Sequence, residues 1–196
     1  MKLSLNCSLE YHNLFLSIDE SERLYRYLIG LNELKEMAKV ETLTGECFYQ
    51  NYGKLMFISN RLYDEHKFPE TIWGNTMVWS KEMEIVKKRI EKRIGKKFET
   101  CVCIYYPDGN SGIDYHSDLV AFGDTTIIPS ISLGEEREFL LREKSTLKEH
   151  KLILNNGSLV IMGENCQDLY EHSLPINSIY KKGRINLTFR QYGFDT

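Results

Sequence analysis

The chain has 196 residues, 42% of them apolar and 12% aromatic, with a formal net charge of −3. These are globular values that fit one domain with a sizeable core, and the charge excludes a global polyelectrolyte attraction to nucleic acid, so any such contact must be local. No apolar run reaches the length of a bilayer span, and Met1 to Cys7 carries neither a long apolar stretch nor a small-residue cleavage site. A soluble intracellular protein, cytoplasmic or nuclear, monomeric and without membrane contact, is therefore expected. Five cysteines, at positions 7, 47, 101, 103 and 166, are odd in number and form no CxxC pair, which argues against a disulfide framework or a zinc site.

In chain order, Ser17-Ile18-Asp19-Glu20 reads as a capping box, and Leu24, Leu28, Leu31 and Leu34 follow it as one helical stripe suited to buttressing a sheet. Residues 40 to 79 carry Tyr49, Tyr52, Phe57, Tyr63, Trp73 and Trp79 without a clear period. From Ser80 to Gly95, Met83, Val86, Ile90 and Ile94 recur at helical spacing, with Gly95 as the expected C-cap. The same helix holds Lys87, Lys88, Arg89, Lys92 and Arg93, followed by Lys96 and Lys97. Because Glu91 interrupts them, they read first as a solvated face and second as a track for a phosphate backbone.

From Glu99 onward short strand-like runs dominate: 100–106, 126–133, 138–142, 151–154, 158–162, 168–173 and 184–191. Turn signals separate them, among them Pro107-Asp108-Gly109-Asn110 and Asn155-Asn156-Gly157. Cys101 and Cys103 alternate in the first run as small core residues. Helices first and strands afterwards predict an α+β, mainly β fold: a double-stranded β-helix, or jelly roll, with N-terminal helices packed on one sheet.

Within this half, His116-Ser117-Asp118 puts an imidazole and a carboxylate on one side of an extended backbone. His172, in the strand-like Leu169 to Leu174, can complete the set if the intervening strands fold back. Two imidazoles and one carboxylate with open positions opposite are the donor set of non-haem Fe(II) oxygenases. Further on, Arg184, Asn186, Thr188 and Arg190 share one face of a strand, and Ile185, Leu187 and Phe189 share the other. The arginine fork matches a carboxylate bidentately, so a dicarboxylic cosubstrate is the natural partner of that polar face.

Over about residues 98 to 192 the chain resembles the AlkB-like branch of the 2-oxoglutarate/Fe(II) dioxygenases. The residues that carry the resemblance are Tyr106-Pro107-Asp108-Gly109, His116-Ser117-Asp118, Ile131-Ser132-Leu133-Gly134, Asn156-Gly157-Ser158, Tyr170-Glu171-His172-Ser173 and above all the RxNxTxR run from Arg184 to Arg190. The resemblance implies a single oxygenase domain over 1–196, with a helical and lid part at 1–97 and a catalytic jelly roll at 98–196. It implies Fe(II) held by His116, Asp118 and His172, 2-oxoglutarate clamped through Arg184, and hydrogen bonds to the cosubstrate from Tyr106, Asn186 and Thr188. Arg190 would lie nearer the metal and the target group, and O2 is the oxidant.

The implied reaction is oxidative demethylation of N-methylated bases in DNA or RNA, on a single strand or a flipped base. The same chemistry on a protein or a small molecule is the alternative, and a catalytically silent binding module is a third reading that the intact triad and paired arginines disfavour. The chain departs from the family in three places. Ile104 stands where members usually have Asn. Leu119 and Val120 follow Asp118 where repair members carry an acidic residue, leaving Asp124 as the nearest carboxylate on that loop. The aromatic spread of 40–79 lacks the usual lid pattern.

Overall fold

Ser17 starts the first helix as a full capping box: its hydroxyl accepts from the Glu20 amide at 3.2 Å, and the Glu20 carboxylate accepts from the Ser17 amide at 2.7 Å. In this computed structural model, which describes residues 5–41, 46–118, 120 and 123–193, helix α1 runs Ile18–Ile29 and stops at Gly30. The leucine stripe does not continue as one helix. Leu31 takes extended dihedrals and precedes a separate turn, α2 (Asn32–Lys35), which brings Leu34 back to the core by redirecting the chain.

Among the described residues before 80 the chain also contributes four strands: β1 (Leu9–His12), β2 (Met37–Glu41), β3 (Cys47–Ile58) and β4 (Thr76–Val78), with the short helices α3 (Asn60–Asp64) and α4 (Glu70–Trp73) between the last two. β3 explains why this region has no readable period. Among the described residues its first half pairs only with β2 and is mostly exposed, whereas Leu55, Met56, Phe57 and Ile58 are buried on both faces. Helix α5 (Lys81–Ile94) follows, capped by Ser80 and ended by Gly95 in the left-handed region at φ 76°.

The second half supplies β5 (Thr100–Tyr106), β6 (Ile113–His116), β7 (Ile128–Gly134), β8 (Arg137–Glu143), β9 (Glu149–Leu154), β10 (Ser158–Met162), β11 (Tyr170–Leu174) and β12 (Arg184–Arg190). One turn of helix, α6 (Cys166–Leu169), occupies the start of the run expected to be strand from 168. Among the described residues the strands form an eight-stranded sheet in the order β1-β10-β7-β12-β5-β3-β2, with β4 beside β3, and a four-stranded sheet in the order β6-β11-β8-β9. Pairing is antiparallel throughout except for β3 with β4. This is the expected mainly β double-stranded β-helix.

The alternation of β12 divides the molecule. Ile185, Leu187 and Phe189 are fully buried on the outer face of the large sheet, against Leu24 and Leu28 of α1 and Met83, Val86 and Ile90 of α5. Each such side chain contributes about 1.5–3 kcal/mol by leaving water. Trp79 stacks against Phe189 and Phe57 at centroid separations of 6.0 and 6.2 Å, so Phe57 and Trp79 are core residues. The inner face of the large sheet, with Arg184, Asn186, Thr188 and Arg190, turns toward the small sheet. No helix among the described residues is long and apolar enough to cross a membrane.

Candidate active site

β6 and β11 lie side by side with His116 directly opposite His172, which places the two ring centroids 4.3 Å apart. A register irregularity between His172 and Leu174 marks this point of the ladder. Asp118, two residues beyond the end of β6, completes a group whose candidate ligand atoms all lie within 4.8 Å of one another. The strand pairing therefore performs the fold-back that the His116, Asp118 and His172 spacing requires.

Each donor is prepared for a cation. The Nδ1 of His116 is 2.7 Å from the Asp114 carbonyl, which can only accept, so Nδ1 carries the proton and Nε2 keeps its lone pair. Burial pushes His172 down to about 4, against the opposing pull of the Asp118 carboxylate, which leaves a neutral imidazole at physiological pH. Asp118 Oδ1 accepts from Arg190 Nη2 at 2.6 Å, while its buried Oδ2 has no hydrogen-bond partner among the described residues. A buried carboxylate oxygen without a donor, beside two imidazoles, is a donor set that fits a divalent cation.

Across the cavity, Arg184 is 2% exposed and donates to Ser132 Oγ at 2.8 Å and Asn186 Oδ1 at 3.0 Å. Its Nε is buried without a hydrogen bond, and among the described residues no carboxylate pairs with it. Burial lowers Arg184 to about 10, with Tyr106 opposing the shift. Asn186 continues the polar row by donating to Thr188 Oγ1 at 2.8 Å and accepting from Ser130 at 2.9 Å. Tyr106 packs its ring 5.4 Å from the Arg184 guanidinium, and burial pushes its phenol up to about 12, so it remains a neutral O–H donor. A buried cation with unfilled donors fits a dicarboxylate of 2-oxoglutarate size.

Tyr106, His116, Asp118, His172, Arg184, Asn186, Thr188 and Arg190 all line one cavity of about 340 Å³, together with apolar walls that include Val102, Phe139, Val160 and Leu174. Ile104 also lines it, in register with Asn186 on the neighbouring strand, so an apolar side chain occupies the place of the missing Asn.

Other sequence expectations are corrected. Of the six aromatics singled out in residues 40–79, Tyr52 alone lines the cavity; Tyr49 and Tyr63 are exposed, and Trp73 packs on Phe68 at 5.4 Å. Helix α5 lies on the opposite face of the large sheet, and its basic residues are largely engaged: Lys87 with Glu84, Arg89 with Glu20, Arg93 with Glu10 and Lys97 with Glu91. They form a solvated face remote from the cavity rather than a track leading into it. Asp124 does not line the cavity either, because both its oxygens accept from Thr126, at 2.7 and 2.9 Å. Leu119 lies outside the described residues, and Val120 is 64% exposed.

Two site residues escaped the sequence reading. Arg137, 1% exposed, donates to the carbonyls of Asp108, Ser111 and Pro175 and so ties together the loops around Tyr106. Nothing in the local sequence announces it, since those acceptors are backbone atoms brought together by the fold. Gln167 in α6 accepts from the Asp118 amide at 2.8 Å, and its carbonyl accepts from Ser117 Oγ at 3.1 Å. Gln167→Ala is expected to weaken Fe(II) binding by about 10–100-fold, as loss of an outer partner does at other metal sites, with little change in melting temperature. Calorimetric titration with Fe(II) or Mn(II) checks this.

Comparison with known proteins agrees with the geometry. The family model described as the 2OG-Fe(II) oxygenase superfamily matches residues 10–190. The alpha-ketoglutarate-dependent dioxygenase alkB homolog 3 of Rattus norvegicus is 31% identical over 71% of this chain, which spans 48% of that relative's length. The DNA oxidative demethylase ALKBH2 of Bos taurus is 29% identical over 85% of this chain and 67% of its own. The solved structure of OsALKBH1 superposes with a TM-score of 0.63 at 17% identity, covering 96% of this chain and 100% of that one, which shows a shared fold.

Proposed function

The chain belongs to the 2OG-Fe(II) oxygenase superfamily and carries an AlkB-like dioxygenase domain served by Fe(II), 2-oxoglutarate and O2, and from that premise we propose that it oxidatively demethylates N-methylated bases in DNA or RNA. The observation that carries the reading is the cavity itself, with His116, Asp118 and His172 on one wall and the buried, carboxylate-free Arg184 on another. The chain would act as one oxygenase domain over its length.

In this reading His116 Nε2, His172 and Asp118 Oδ2 hold the iron, with Arg190 and Gln167 orienting the carboxylate. Arg184 clamps the distal carboxylate of 2-oxoglutarate, and Tyr106, Asn186 and Thr188 complete its polar surround. When bound, iron and 2-oxoglutarate together supply an oxidant able to take hydrogen from an N-methyl group, after which the hydroxylated product loses formaldehyde. The walls formed by Val102, Phe139, Val160 and Leu174 exclude water, and the neutral Tyr106 phenol holds its proton as a donor throughout. A base must reach such an enclosed cavity unpaired, which favours single strands or flipped bases over intact duplex.

The same chemistry on a protein or small molecule is favoured by one observation, the position of the basic α5 face on the far side of the large sheet. A mass-spectrometric screen of methylated oligonucleotides, single- and double-stranded, with Fe(II) and 2-oxoglutarate separates the two. Demethylation with succinate release is the expected result. Succinate release stimulated by a peptide or metabolite, with every oligonucleotide inert, would replace the nucleic-acid reading.

A further inference from the structure

The turn between β10 and α6 brings together two thiols that the oxygenase chemistry leaves unused. Ser8 donates to the Glu164 carbonyl at 3.0 Å and Gly163 donates to the Ser8 carbonyl at 2.7 Å, which extends the β1–β10 ladder beyond both strands. Asn165, in the left-handed region at φ 66°, then turns the chain so that Cys166 opens α6 against the residue before Ser8. Cys7 and Cys166 are thus carried on paired backbone, 159 positions apart in sequence, with their sulfurs 2.8 Å apart. A small shift separates that contact from the roughly 2 Å of a disulfide.

The two thiols differ in access and in proton. Cys7 is half-buried, whereas Cys166 is 2% exposed and packs in a cluster with Ile128, Leu154 and Met162. Cys166 Sγ donates to Cys7 Sγ, with the Ser8 carbonyl at 3.1 Å as a second acceptor for its one hydrogen. That bond holds the Cys7 thiol below its ordinary value against partial burial, and the same bond together with burial pushes Cys166 up. A reachable sulfur with thiolate character above a protonated partner suits thiol–disulfide exchange, one thiol attacking and the other resolving. Cys101 and Cys103, by contrast, are fully buried, and burial pushes both thiols up.

The pair also adjoins the metal-ligand loop. Gln167 follows Cys166 directly; its Oε1 accepts from the Asp118 amide and its carbonyl from Ser117 Oγ. We propose that Cys7 and Cys166 form a reversible dithiol–disulfide site, oxidised by a small-molecule disulfide, whose closure fixes α6 and, through Gln167, the loop that carries Asp118. In the first step the Cys7 sulfur bonds to one sulfur of the incoming disulfide and the other sulfur leaves. In the second the Cys166 sulfur bonds to the Cys7 sulfur and expels the remaining thiol. Each departing thiolate takes up a proton given by one of the two cysteines, so two protein thiols are oxidised as one disulfide is reduced to two thiols. An odd cysteine count argues against a disulfide framework but is compatible with a single switchable pair, the form that disulfides take in reducing compartments.

The test equilibrates the protein with glutathione disulfide and maps its cysteines by peptide mass spectrometry without reduction. A Cys7–Cys166 cross-link, short of two hydrogens, is expected; dithiothreitol releases it, and Cys7→Ser, which leaves the buried Cys166 in place, does not form it. Because the closed loop spans most of the chain, the oxidised wild type should melt about 5–15 °C above the reduced form, with no such rise in Cys7→Ser. It should also bind Mn(II) about threefold or more tighter in calorimetric titration, since Gln167 is then held in place beforehand. A stable glutathione adduct at Cys7, a cross-link through another cysteine, or no reaction overturns the site. An unchanged melting temperature on cross-linking overturns the staple, and equal or weaker Mn(II) affinity in the oxidised form overturns the coupling to Asp118. Absence of Mn(II) binding in both forms removes that coupling together with the metal reading, and the cross-link is then judged by mass alone.

Discussion

Asp118→Ala is expected to abolish Fe(II)-dependent succinate formation and to lower the melting temperature as well, whereas His116→Ala abolishes turnover with far less effect on stability. The loss of turnover should exceed the about 10–100-fold that removing an outer partner costs, because a ligand itself is lost. The stability difference follows from Arg190, which is 2% exposed and donates to Asp118 Oδ1 at 2.6 Å. Burial lowers the Arg190 pKa and the Asp118 carboxylate works against that shift, so the carboxylate is what makes a charged guanidinium tolerable there. Breaking a buried pair by deleting one partner costs about 3–5 kcal/mol. His116, by contrast, is half-buried, and its Nδ1 bond goes to a neighbouring backbone carbonyl. Succinate assay and differential scanning fluorimetry of the two variants, with His172→Ala beside them, separate the effects. Wild-type succinate production by any of the three would sink the ligand assignment.

The readable part of this chain was the part whose side chains repeat. β12 shows why: its period-two alternation separates Arg184, Asn186, Thr188 and Arg190 from Ile185, Leu187 and Phe189, and the structure puts the two sets on opposite faces of the large sheet. The His116 and Asp118 spacing was equally legible, and the direct pairing of His116 with His172 supplies in space what the sequence could only require. Where one strand plays two parts, the pattern fails. β3 is exposed ribbon at one end and doubly buried sheet at the other, so no single period describes it, and Lys54 sits unmarked at the transition. Contacts to backbone were also invisible, which is why Arg137 and Gln167 escaped notice. The basic stretch of α5 was legible in its first reading, a solvated face, because Glu10, Glu20, Glu84 and Glu91 take up most of that charge; the second reading, a track for a phosphate backbone, fails on position, since the helix lies across the sheet from the cavity.

Arg184→Ala is expected to raise the apparent 2-oxoglutarate requirement by about 30-fold or more, the kinetic counterpart of roughly 2–5 kcal/mol for truncating one partner of a buried hydrogen-bonded charge pair. Without ligand, Arg184 carries its charge at 2% exposure with hydroxyl and amide acceptors only and with Nε unmatched. The substitution therefore removes a desolvated cation that the ligand-free protein does not need, and the melting temperature measured without 2-oxoglutarate should change little. What disappears is the stabilisation that 2-oxoglutarate gives by binding the folded state alone. A thermal-shift titration with 2-oxoglutarate thus reads the clamp independently of turnover: a rising melting temperature in the wild type and a flat one in Arg184→Ala. Arg184→Lys restores part of the shift, because a point charge can meet the carboxylate but cannot reproduce the planar fork that also reaches Ser132 and Asn186. If Arg184→Ala kept the wild-type thermal shift and 2-oxoglutarate dependence, the distal carboxylate would have to be met by another cation of the cavity, and Lys54, one strand beyond Ile104, would be the first to substitute.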